Sequence, residues 1–419
     1  MKSIAKPFAL AAGALLAANH VYADGLSPIA GAFGETKPIF DMRLRAENVD
    51  QDGLANDAHA TTLRARLGFE TGKAWNTALL VEGEGIVPIQ DDYRPDPMVP
   101  SMTTYPVVAD AENYEINRFQ FTNTSLPGTT ITLGRQRIAL DDQRFVGPVA
   151  WRQNEQTFDA LRVVNRTVAN LVIDATYFDK VNRVFGERSP QGDYEGDSGL
   201  LNVAYQTKIG KITAFGYLLD FQNIVSVPAA VRDSTATYGL RFAGEKPVGK
   251  LKLAYVASYA TQSDYADNPL TFDLGYKFAE LTATFRQYSL GAGKEIMEGD
   301  LLAPGVTKGF TTPLATLHKF DGWADKFLTT PGNGLEDTYA TGGVTLKGVG
   351  SFDTLSFTAA YHDYNAERID ADYGHEWNFS LAAKYQRVNF MLKLADYEQG
   401  VLPTARSTKK VWGQVEFVW

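Results

Sequence analysis

The sequence predicts an all-β protein that crosses a membrane as an antiparallel, up-and-down β-barrel of about 18 strands. Three observations predict this fold: apolar and polar residues alternate, the alternating segments are long, and tight turns alternate with long polar loops. Residues 40–47 show the alternation, because Phe40, Met42 and Leu44 are separated by charged side chains. A period of two places apolar groups on one face of a strand and polar groups on the other.

The alternating segments follow one another along the chain, and most are about 8 to 11 residues long. Strands of this length suit a tilted crossing of a bilayer, whereas the strands of soluble proteins average about five or six residues. The predicted strands span residues 40–47, 63–70, 75–84, 114–122, 129–136, 157–164, 170–178, 199–206, 211–220, 235–243, 250–260, 269–277, 280–288, 336–346, 353–362, 375–385, 388–396 and 408–419.

The connections between these segments alternate in length. Tight turns are predicted at residues 71–74, 207–210 and 386–387. Long polar loops are predicted at residues 48–60, 85–113, 179–198, 222–234, 291–335 and 362–374. Bacterial outer-membrane barrels have short periplasmic turns and long extracellular loops, so this alternation predicts the same plan here.

The N-terminal region differs from the predicted barrel. Lys2 and Lys6 precede an apolar run, and small residues end at Ala23, which is the pattern of a secretory signal peptide at residues 1–23. We expect residues 24–35 to form a short periplasmic segment and residues 36–419 to form the barrel. The chain has no cysteine, which excludes disulfides and thiolate metal sites. The net charge of −9 argues against a nucleic-acid partner.

The last strand also has a recognisable pattern. Residues 411–419 alternate and end on Trp419, which resembles the C-terminal strand that the barrel-assembly machinery recognises. We therefore expect the outer membrane of a Gram-negative bacterium, with its lipid and lipopolysaccharide as surroundings.

The connection between the fifth and sixth predicted strands is unusually rich in charge. It holds arginines among acidic residues and too few apolar residues for a core of its own: Arg135, Arg137, Arg144 and Arg152 lie near Asp141, Asp142 and Glu155. We expect this loop to dip toward the pore mouth. Strict alternation from Leu133 points Arg135 and Arg137 toward lipid, unless a bulge at Gly134 or a position at the headgroup rim intervenes.

Other charges fall on the polar faces of the strands, which face the lumen in a barrel of this size. The pore-lining or solute-contacting candidates on these faces are Arg43, Arg45, Arg64, Arg66, Glu82, Glu84, Arg118, Arg241, Arg286, Lys384 and Lys393. Arginine binds carboxylates through two parallel hydrogen bonds and stays charged, so it suits a path for anions. The alternative is that the loop arginines pair with neighbouring acids and only pin the loop.

Two stretches resemble the alginate-export family of Gram-negative outer-membrane channels. They are LGRQRIALDDQRFVGPVAWRQNEQTFDAL at residues 133–161 and TPLATLHKFDGWADKFLTTPGNGLEDTY at residues 312–339. The resemblance extends over residues 36–419 and implies a monomeric barrel of about 18 strands whose charged constriction conducts an anionic polysaccharide. The resemblance also implies that Arg135, Arg137, Arg144 and Arg152 are candidate solute-contacting residues, with Asp141 and Asp142 as their ion-pair partners.

The predicted function is a porin-like channel for passive passage of anionic or sugar-like solutes, or more narrowly for export of an acidic exopolysaccharide such as alginate. The alternatives are an outer-membrane hydrolase and a secreted all-β polysaccharide-binding protein. His318 lies near Asp321 and Asp325, as a general base and an orienting acid would. No serine lies in a nucleophile-elbow setting, so we expect no enzyme activity. We also expect no cofactor, since no Walker loop or dinucleotide-binding fingerprint is present.

Overall fold

The protein forms a closed antiparallel β-barrel. The structure, a computed structural model, describes residues 28–98, 100–222 and 230–419. Within these ranges, 18 strands form one sheet in which each strand pairs with its neighbour along the chain. The first strand pairs with both the second and the last, so the sheet has no free edge. The predicted fold class is confirmed.

The strands follow one another along the chain. They are β1 Lys37–Gln51, β2 Ala58–Glu70, β3 Thr77–Asp92, β4 Asn113–Asn123, β5 Thr129–Gln136, β6 Thr157–Asn165, β7 Leu171–Asn182, β8 Asp193–Gln206, β9 Lys211–Leu219, β10 Thr235–Val248, β11 Leu251–Asp264, β12 Asp273–Phe285, β13 Tyr288–Met297, β14 Gly299–Ala303, β15 Val306–Gly309, β16 Leu335–Val349, β17 Phe352–Asn365, β18 Asp372–Tyr385, β19 Val388–Gln399 and β20 Thr408–Val418. Strands β14 and β15 form a separate hairpin within the long connection between β13 and β16.

Helical structure is limited to short elements. Helix α1 spans Pro28–Gly34, and 3₁₀ turns span Ala230–Asp233 and Leu317–Lys319. In the described ranges no helix has the length and apolar character needed to cross a membrane. Helix α1 contacts the β2–β3 turn, where the backbone N–H of Gly72 donates to the carbonyl of Ala32 at 2.8 Å. The predicted signal peptide at residues 1–23 lies outside the described residues.

The connections follow the predicted alternation. At one end of the barrel the strands are joined by turns as short as residues 249–250, 350–351 and 386–387. At the other end lie loops as long as residues 93–112, 137–156 and 298–334. The long-loop end is the extracellular end of an outer-membrane barrel, and the short-turn end is periplasmic.

One predicted turn was wrong. The sequence pattern placed a break near residues 278–279, but β12 continues to Phe285 and turns at Arg286 and Gln287 before β13. Arg286 adopts a positive φ of 55° that usually favours glycine or asparagine, and neither residue is present to mark the turn. As a result, the strand predicted at 280–288 divides between β12 and β13.

The two faces of the barrel differ as the alternation predicts. On β18 and β19 the outward side chains are apolar and exposed, including Phe379, Leu381 and Leu392. Trp377 and Tyr385, also outward and exposed, lie four residues on either side of Leu381. Aromatic residues mark the two interfaces of a membrane barrel, so Leu381 lies near the middle of the hydrocarbon.

An arginine at this position tests the membrane-facing assignment. We expect Leu381→Arg to lower the free energy of unfolding by about 2–4 kcal/mol, because the guanidinium would face lipid near the midplane. Urea unfolding of protein refolded into lipid vesicles measures this change. The matched control is Ser380→Arg, because residue 380 lies on the same strand and faces the lumen. This variant should lower the free energy of unfolding much less. Equal losses for the two variants would contradict the assignment.

Candidate functional site

The lumen wall of β1 to β4 carries a ladder of charged side chains. Alternation places every second residue of a strand inward, and the antiparallel registers bring the inward residues of adjacent strands together. The cross-strand neighbours are Arg43 with Arg64, Arg66 with Glu84, and Glu82 with Arg118. The charges therefore lie side by side across four strands.

Carboxylates compensate the arginines of this ladder. Arg43 and Arg64 both contact Glu416 on β20, at 2.6 and 3.1 Å. The other pairs are Arg64 with Asp41, Arg66 with Glu84, and Arg118 with Glu82. Buried guanidinium groups lose their hydration, and partners of opposite charge offset much of that cost.

The β5–β6 loop, residues 137–156, folds into the barrel against this wall. Arg43 Nη1 donates to the carbonyls of Ala150 and Arg152, both at 3.1 Å. Arg45 donates to the carbonyl of Trp151 at 2.5 Å, and its guanidinium lies 4.2 Å from the centre of the indole ring. The wall arginines therefore bind loop backbone as well as carboxylates.

A second inward segment, residues 310–327 of the β13–β16 connection, meets the first inside the lumen. We call it the plug segment. Val146 and Leu314 form a parallel backbone bridge, and the N–H of Gly147 donates to the carbonyl of Leu314 at 2.9 Å. The amide of Gln156 donates to the same carbonyl at 3.0 Å. The two loops thus form one body within the barrel.

The plug segment approaches the opposite wall through a glycine. Gly322 has a φ of +78°, and a Cβ there would lie 2.2 Å from the Tyr364 hydroxyl and 2.5 Å from Glu376 Oε2. The backbone N–H groups of Trp323 and Ala324 donate to Glu376 Oε1 at 2.5 and 2.9 Å. Only a residue without a side chain allows this close contact.

Arg144 joins both inward loops to the wall at one side. Its guanidinium contacts Glu295 of β13 at 2.6 Å and Asp321 of the plug segment at 3.0 Å. Burial alone lowers the pKa of Arg144, but the two carboxylates outweigh burial and leave that pKa above its ordinary value. Burial also raises the pKa of Asp321 well above its usual range.

Arg152 and Asp325 make the corresponding connection at the other side. Arg152 contacts Glu47 of β1 at 3.0 Å and Asp325 of the plug segment at 3.1 Å. Lys410 of β20 reaches Asp325 at 2.8 Å. Although burial acts in the opposite direction, His318, Lys410 and Arg152 hold the pKa of Asp325 well below its usual range.

His318 is engaged on both ring nitrogens. Nδ1 lies 2.7 Å from Asp325, and Nε2 lies 2.6 Å from the Lys393 ammonium. The ring stacks on Trp151 with a centroid separation of 4.2 Å. Asp321, the other acid considered for a hydrolytic site, pairs with Arg144 instead. This buried histidine has the setting of a structural group, with neither nitrogen directed at an open cleft.

The structure distributes the predicted site residues over four locations. The lumen face of the strands holds Arg43, Arg45, Arg64, Arg66, Glu82, Glu84, Arg118, Arg241, Lys384 and Lys393. The β5–β6 loop holds Arg137, Asp141, Asp142, Arg144 and Arg152. Arg135 lies on the outer face, and Arg286 lies in the β12–β13 turn.

Arg135 follows the strict alternation. It is opposite Phe119 on β4 and Asp159 on β6, and Phe119 is exposed on the outer face. Its guanidinium binds Asp159 at 2.8 Å and the carbonyl of Ile116 at 3.0 Å. The ladder has no register shift at Gly134, so a rim position rather than a bulge accommodates this charge.

The predicted pairing of the loop arginines with Asp141 and Asp142 was wrong, although Arg137 does pair with Glu155 of the same loop. Asp141 pairs with Lys211 of β9 at 2.7 Å, and Asp142 pairs with Arg241 of β10 at 2.9 Å. The loop crosses the lumen, so its acids reach the far wall while its arginines bind elsewhere. Arg137 turns inward and contacts Glu155 and Glu82.

Four lumen ion pairs expose the cation more than the acid. The side-chain exposures are 15% and 1% for Arg118 and Glu82, 32% and 0% for Arg137 and Glu155, 21% and 12% for Arg162 and Asp174, and 40% and 10% for Lys211 and Asp141. Three lumen pairs show the reverse, with exposures of 10% and 15% for Arg43 and Glu416, 12% and 21% for Arg241 and Asp142, and 0% and 16% for Arg64 and Asp41. Arg162 and Lys211 were not among the predicted site residues, although the alternation from Phe158 and Phe215 places both inward.

The wall across β12 to β18 carries a patch of small and hydroxylated residues between its ends. These residues lie opposite one another across the strands: Thr282, Gly291, Thr341, Gly343, Thr358 and Ser380. The lumen therefore has a charged side and a hydroxyl-rich side. In the described ranges no three His, Asp or Glu side chains are grouped to hold a metal ion.

Solved outer-membrane proteins have similar folds. OccK5 (OpdH) of Pseudomonas aeruginosa aligns with a TM-score of 0.67 and 13% identity, over 93% of this chain and 99% of that one. OpdK of the same organism, in a structure with vanillate, aligns with a TM-score of 0.66 and 13% identity, over 92% of this chain and 99% of that one. OccAB3 of Acinetobacter baumannii aligns with a TM-score of 0.69 and 12% identity, over 92% of this chain and 99% of that one. At these identities the likeness concerns the fold.

The sequence itself identifies the family. No curated protein matches the chain significantly in sequence. A family model described as alginate export, however, matches residues 40–294, which is more than half of the chain. This match, together with the closed 18-stranded barrel, indicates a channel-type barrel of the Gram-negative outer membrane and leaves the secreted alternative without support. The chain belongs to the alginate export family.

Proposed function

We propose that this protein is a passive channel whose lumen favours small hydroxylated carboxylates, such as sugar acids. The observation that carries the proposal is the unequal exposure within the lumen ion pairs. Arg137 is 32% exposed while its partner Glu155 is fully buried, and Lys211 is exposed four times as much as Asp141. An anion in the lumen therefore meets cation edges before it meets the acids behind them.

The opposite wall fits the remainder of such a solute. Threonine, serine and glycine positions face the lumen there and offer hydroxyl groups without charge, among them Thr282, Thr341 and Ser380. Hydroxyl groups donate and accept hydrogen bonds, which suits the hydroxyls of a sugar acid. Weak contacts on both sides allow the solute to enter and to leave, as passive conduction requires.

A fold relative offers related support. OpdK was solved with vanillate, which is an aromatic carboxylate. That ligand belongs to the relative, and the shared barrel makes a carboxylate a reasonable solute class for this chain.

Export of an acidic polysaccharide is the second candidate function, because the matching family model is described as alginate export. A uronic-acid polymer combines carboxylates with hydroxyls, so the same two walls suit it. Both inward loops lie in its path, however, so a polymer requires the plug segment to move. A small solute requires less displacement, and we therefore place it first.

We further infer that the barrel works as a monomer and enters the membrane through recognition of β20 by the barrel-assembly machinery. Strand β20 closes the barrel on β1 and carries Phe417 beside Trp419, with ring centroids 6.4 Å apart. Replacing Phe417 and Trp419 with alanine should slow appearance of the folded form in cells, as followed by its heat-modifiable gel shift. Unchanged assembly kinetics would contradict this role for β20.

Substitution of exposed lumen arginines tests the anion preference. We expect Arg137→Gln to lower the anion-to-cation permeability ratio by about two- to fourfold, since it removes one charge from a hydrated, salt-screened path. Arg118→Gln should act in the same direction. Reversal potentials across planar bilayers under a salt gradient measure the ratio.

Arg135→Gln is the matched control, because Arg135 comes from the same stretch but lies on the outer face. Its permeability ratio should equal that of the unmodified protein. Cation selectivity of the unmodified channel would refute the anion preference. Absence of conductance from a folded barrel would count against the channel itself, unless the shortened variant described next conducts.

Removal of the plug segment tests whether it obstructs the lumen. The segment can be excised because Gly309 lies against Thr330 and Pro331, where a Cβ on Gly309 would be 2.7 Å from either carbonyl oxygen. Deleting residues 310–329, which include the whole plug segment, and joining Gly309 to Thr330 through a short glycine linker should raise the single-channel conductance in planar bilayers. Conductance equal to that of the full chain would show that the segment leaves the path open.

A further inference from the structure

We propose that His318 is the pH-sensitive part of a latch that holds the plug segment against the barrel wall, and that acid releases it. The latch consists of His318 and Asp325 in the plug segment and Lys393 on β19. The proposal concerns the position of the plug segment, and it applies whichever solute the lumen passes.

We assign the proton on the ring from the chemistry of its two partners. The carboxylate of Asp325 accepts at 2.7 Å from Nδ1, so Nδ1 carries the proton. The Lys393 ammonium has only donors, so Nε2 at 2.6 Å must accept with its lone pair. His318 is therefore neutral in the closed arrangement and links a carboxylate to an ammonium.

Protonation of His318 breaks this link. An imidazolium has no lone pair, so the bond from Lys393 is lost and two positive groups remain 2.6 Å apart. Three tryptophans, Trp151, Trp323 and Trp412, enclose the ammonium, with ring centres 4.1, 3.7 and 5.5 Å from Nζ. Water is excluded by these rings, so little screening weakens the repulsion.

Every element packed around His318 contributes charge. Asp325 and Lys326 lie in the plug segment, Arg152 in the β5–β6 loop, Arg45 and Glu47 on β1, Glu376 on β18, Lys393 on β19 and Lys410 on β20. Asp325 already forms ion pairs with Arg152 at 3.1 Å and with Lys410 at 2.8 Å. Its negative charge is therefore shared among cations and compensates a new imidazolium only in part.

The direction of the pH effect follows from this setting. Burial, with Lys393 and Arg152, holds the pKa of His318 well below its ordinary 6.5, despite Asp325. In the released segment the ring is hydrated and regains its ordinary pKa, so the released form binds a proton more strongly. Below pH 6.5 each unit of acidification then favours release by up to about tenfold, until the pKa of the closed form is reached.

Two other buried groups behave differently. His362 faces the carboxylate of Asp337 at 2.8 Å, so a proton on His362 strengthens that contact. Burial raises the pKa of Asp321 well above 3.8, so ionisation of Asp321 weakens the closed form as the pH rises, which is the opposite slope. Variants at His318 separate the latch from both effects.

The experiment follows tryptophan emission and conductance together. Full-length protein in detergent and in planar bilayers is titrated from about pH 8 to about pH 4, a range that spans histidine titration. We expect a red shift of emission below pH 6.5 as Trp151, Trp323 and Trp412 become hydrated, with a parallel rise in conductance. His318→Gln keeps an acceptor for Lys393 but cannot titrate, so both changes should disappear.

Two further variants complete the test. His59→Gln alters an exposed histidine and should respond as the unmodified protein does. Lys393→Met removes the opposing ammonium and should also abolish acid release, with the heat-modifiable gel shift confirming that the variant folds. Emission that stays constant to about pH 4, or an equal shift in His318→Gln, would overturn the latch. A red shift without any conductance would support the latch and count against the proposed channel.

Discussion

Arg152 bridges Glu47 on the barrel wall and Asp325 in the plug segment, and water is excluded from all three side chains. A buried charge that loses one partner costs about 3–5 kcal/mol, so each residue of the bridge requires the others. The same constraint acts on Arg144 between Glu295 and Asp321. The paths of the two inward loops follow from it, because only those paths bring loop charges to the wall charges that need them.

Alternation in the sequence was sufficient for the barrel and for the face of most strand residues, but not where a register shift places the adjacent Asn117 and Arg118 on the same face. It placed Arg43 and Arg66 inward and Arg135 outward, because the pleat leaves only two choices for each position. It misplaced the β12–β13 turn, because Arg286 has a positive φ and arginine is not a residue type that predicts one. The partners of Arg144 lie more than 150 residues away in the chain, and local pattern contains no information about such contacts.

The two readings of the loop arginines apply to different residues. Arg144 and Arg152 are buried in ion pairs, and Arg144 also contacts the ring of Phe320, so these two residues fix the position of the loop. Arg137 comes from the same stretch but keeps a third of its side chain exposed in front of a buried glutamate. Sequence spacing could not separate them, because exposure depends on where the plug segment ends and the open lumen begins.

The interface between plug and wall differs from the core of a domain in one respect that bears on its mobility. Around His318, the indole nitrogens of Trp151 and Trp412 are buried without a protein hydrogen-bond partner among the described residues. Each such group costs about 1–3 kcal/mol, which offsets part of what the ion pairs contribute. The barrel is closed by its own strand ladder, from β1 to β20, and does not require the plug. The plug segment can therefore be displaced while the wall stays intact, and the neutral histidine between an acid and an ammonium makes the free energy of that displacement depend on pH.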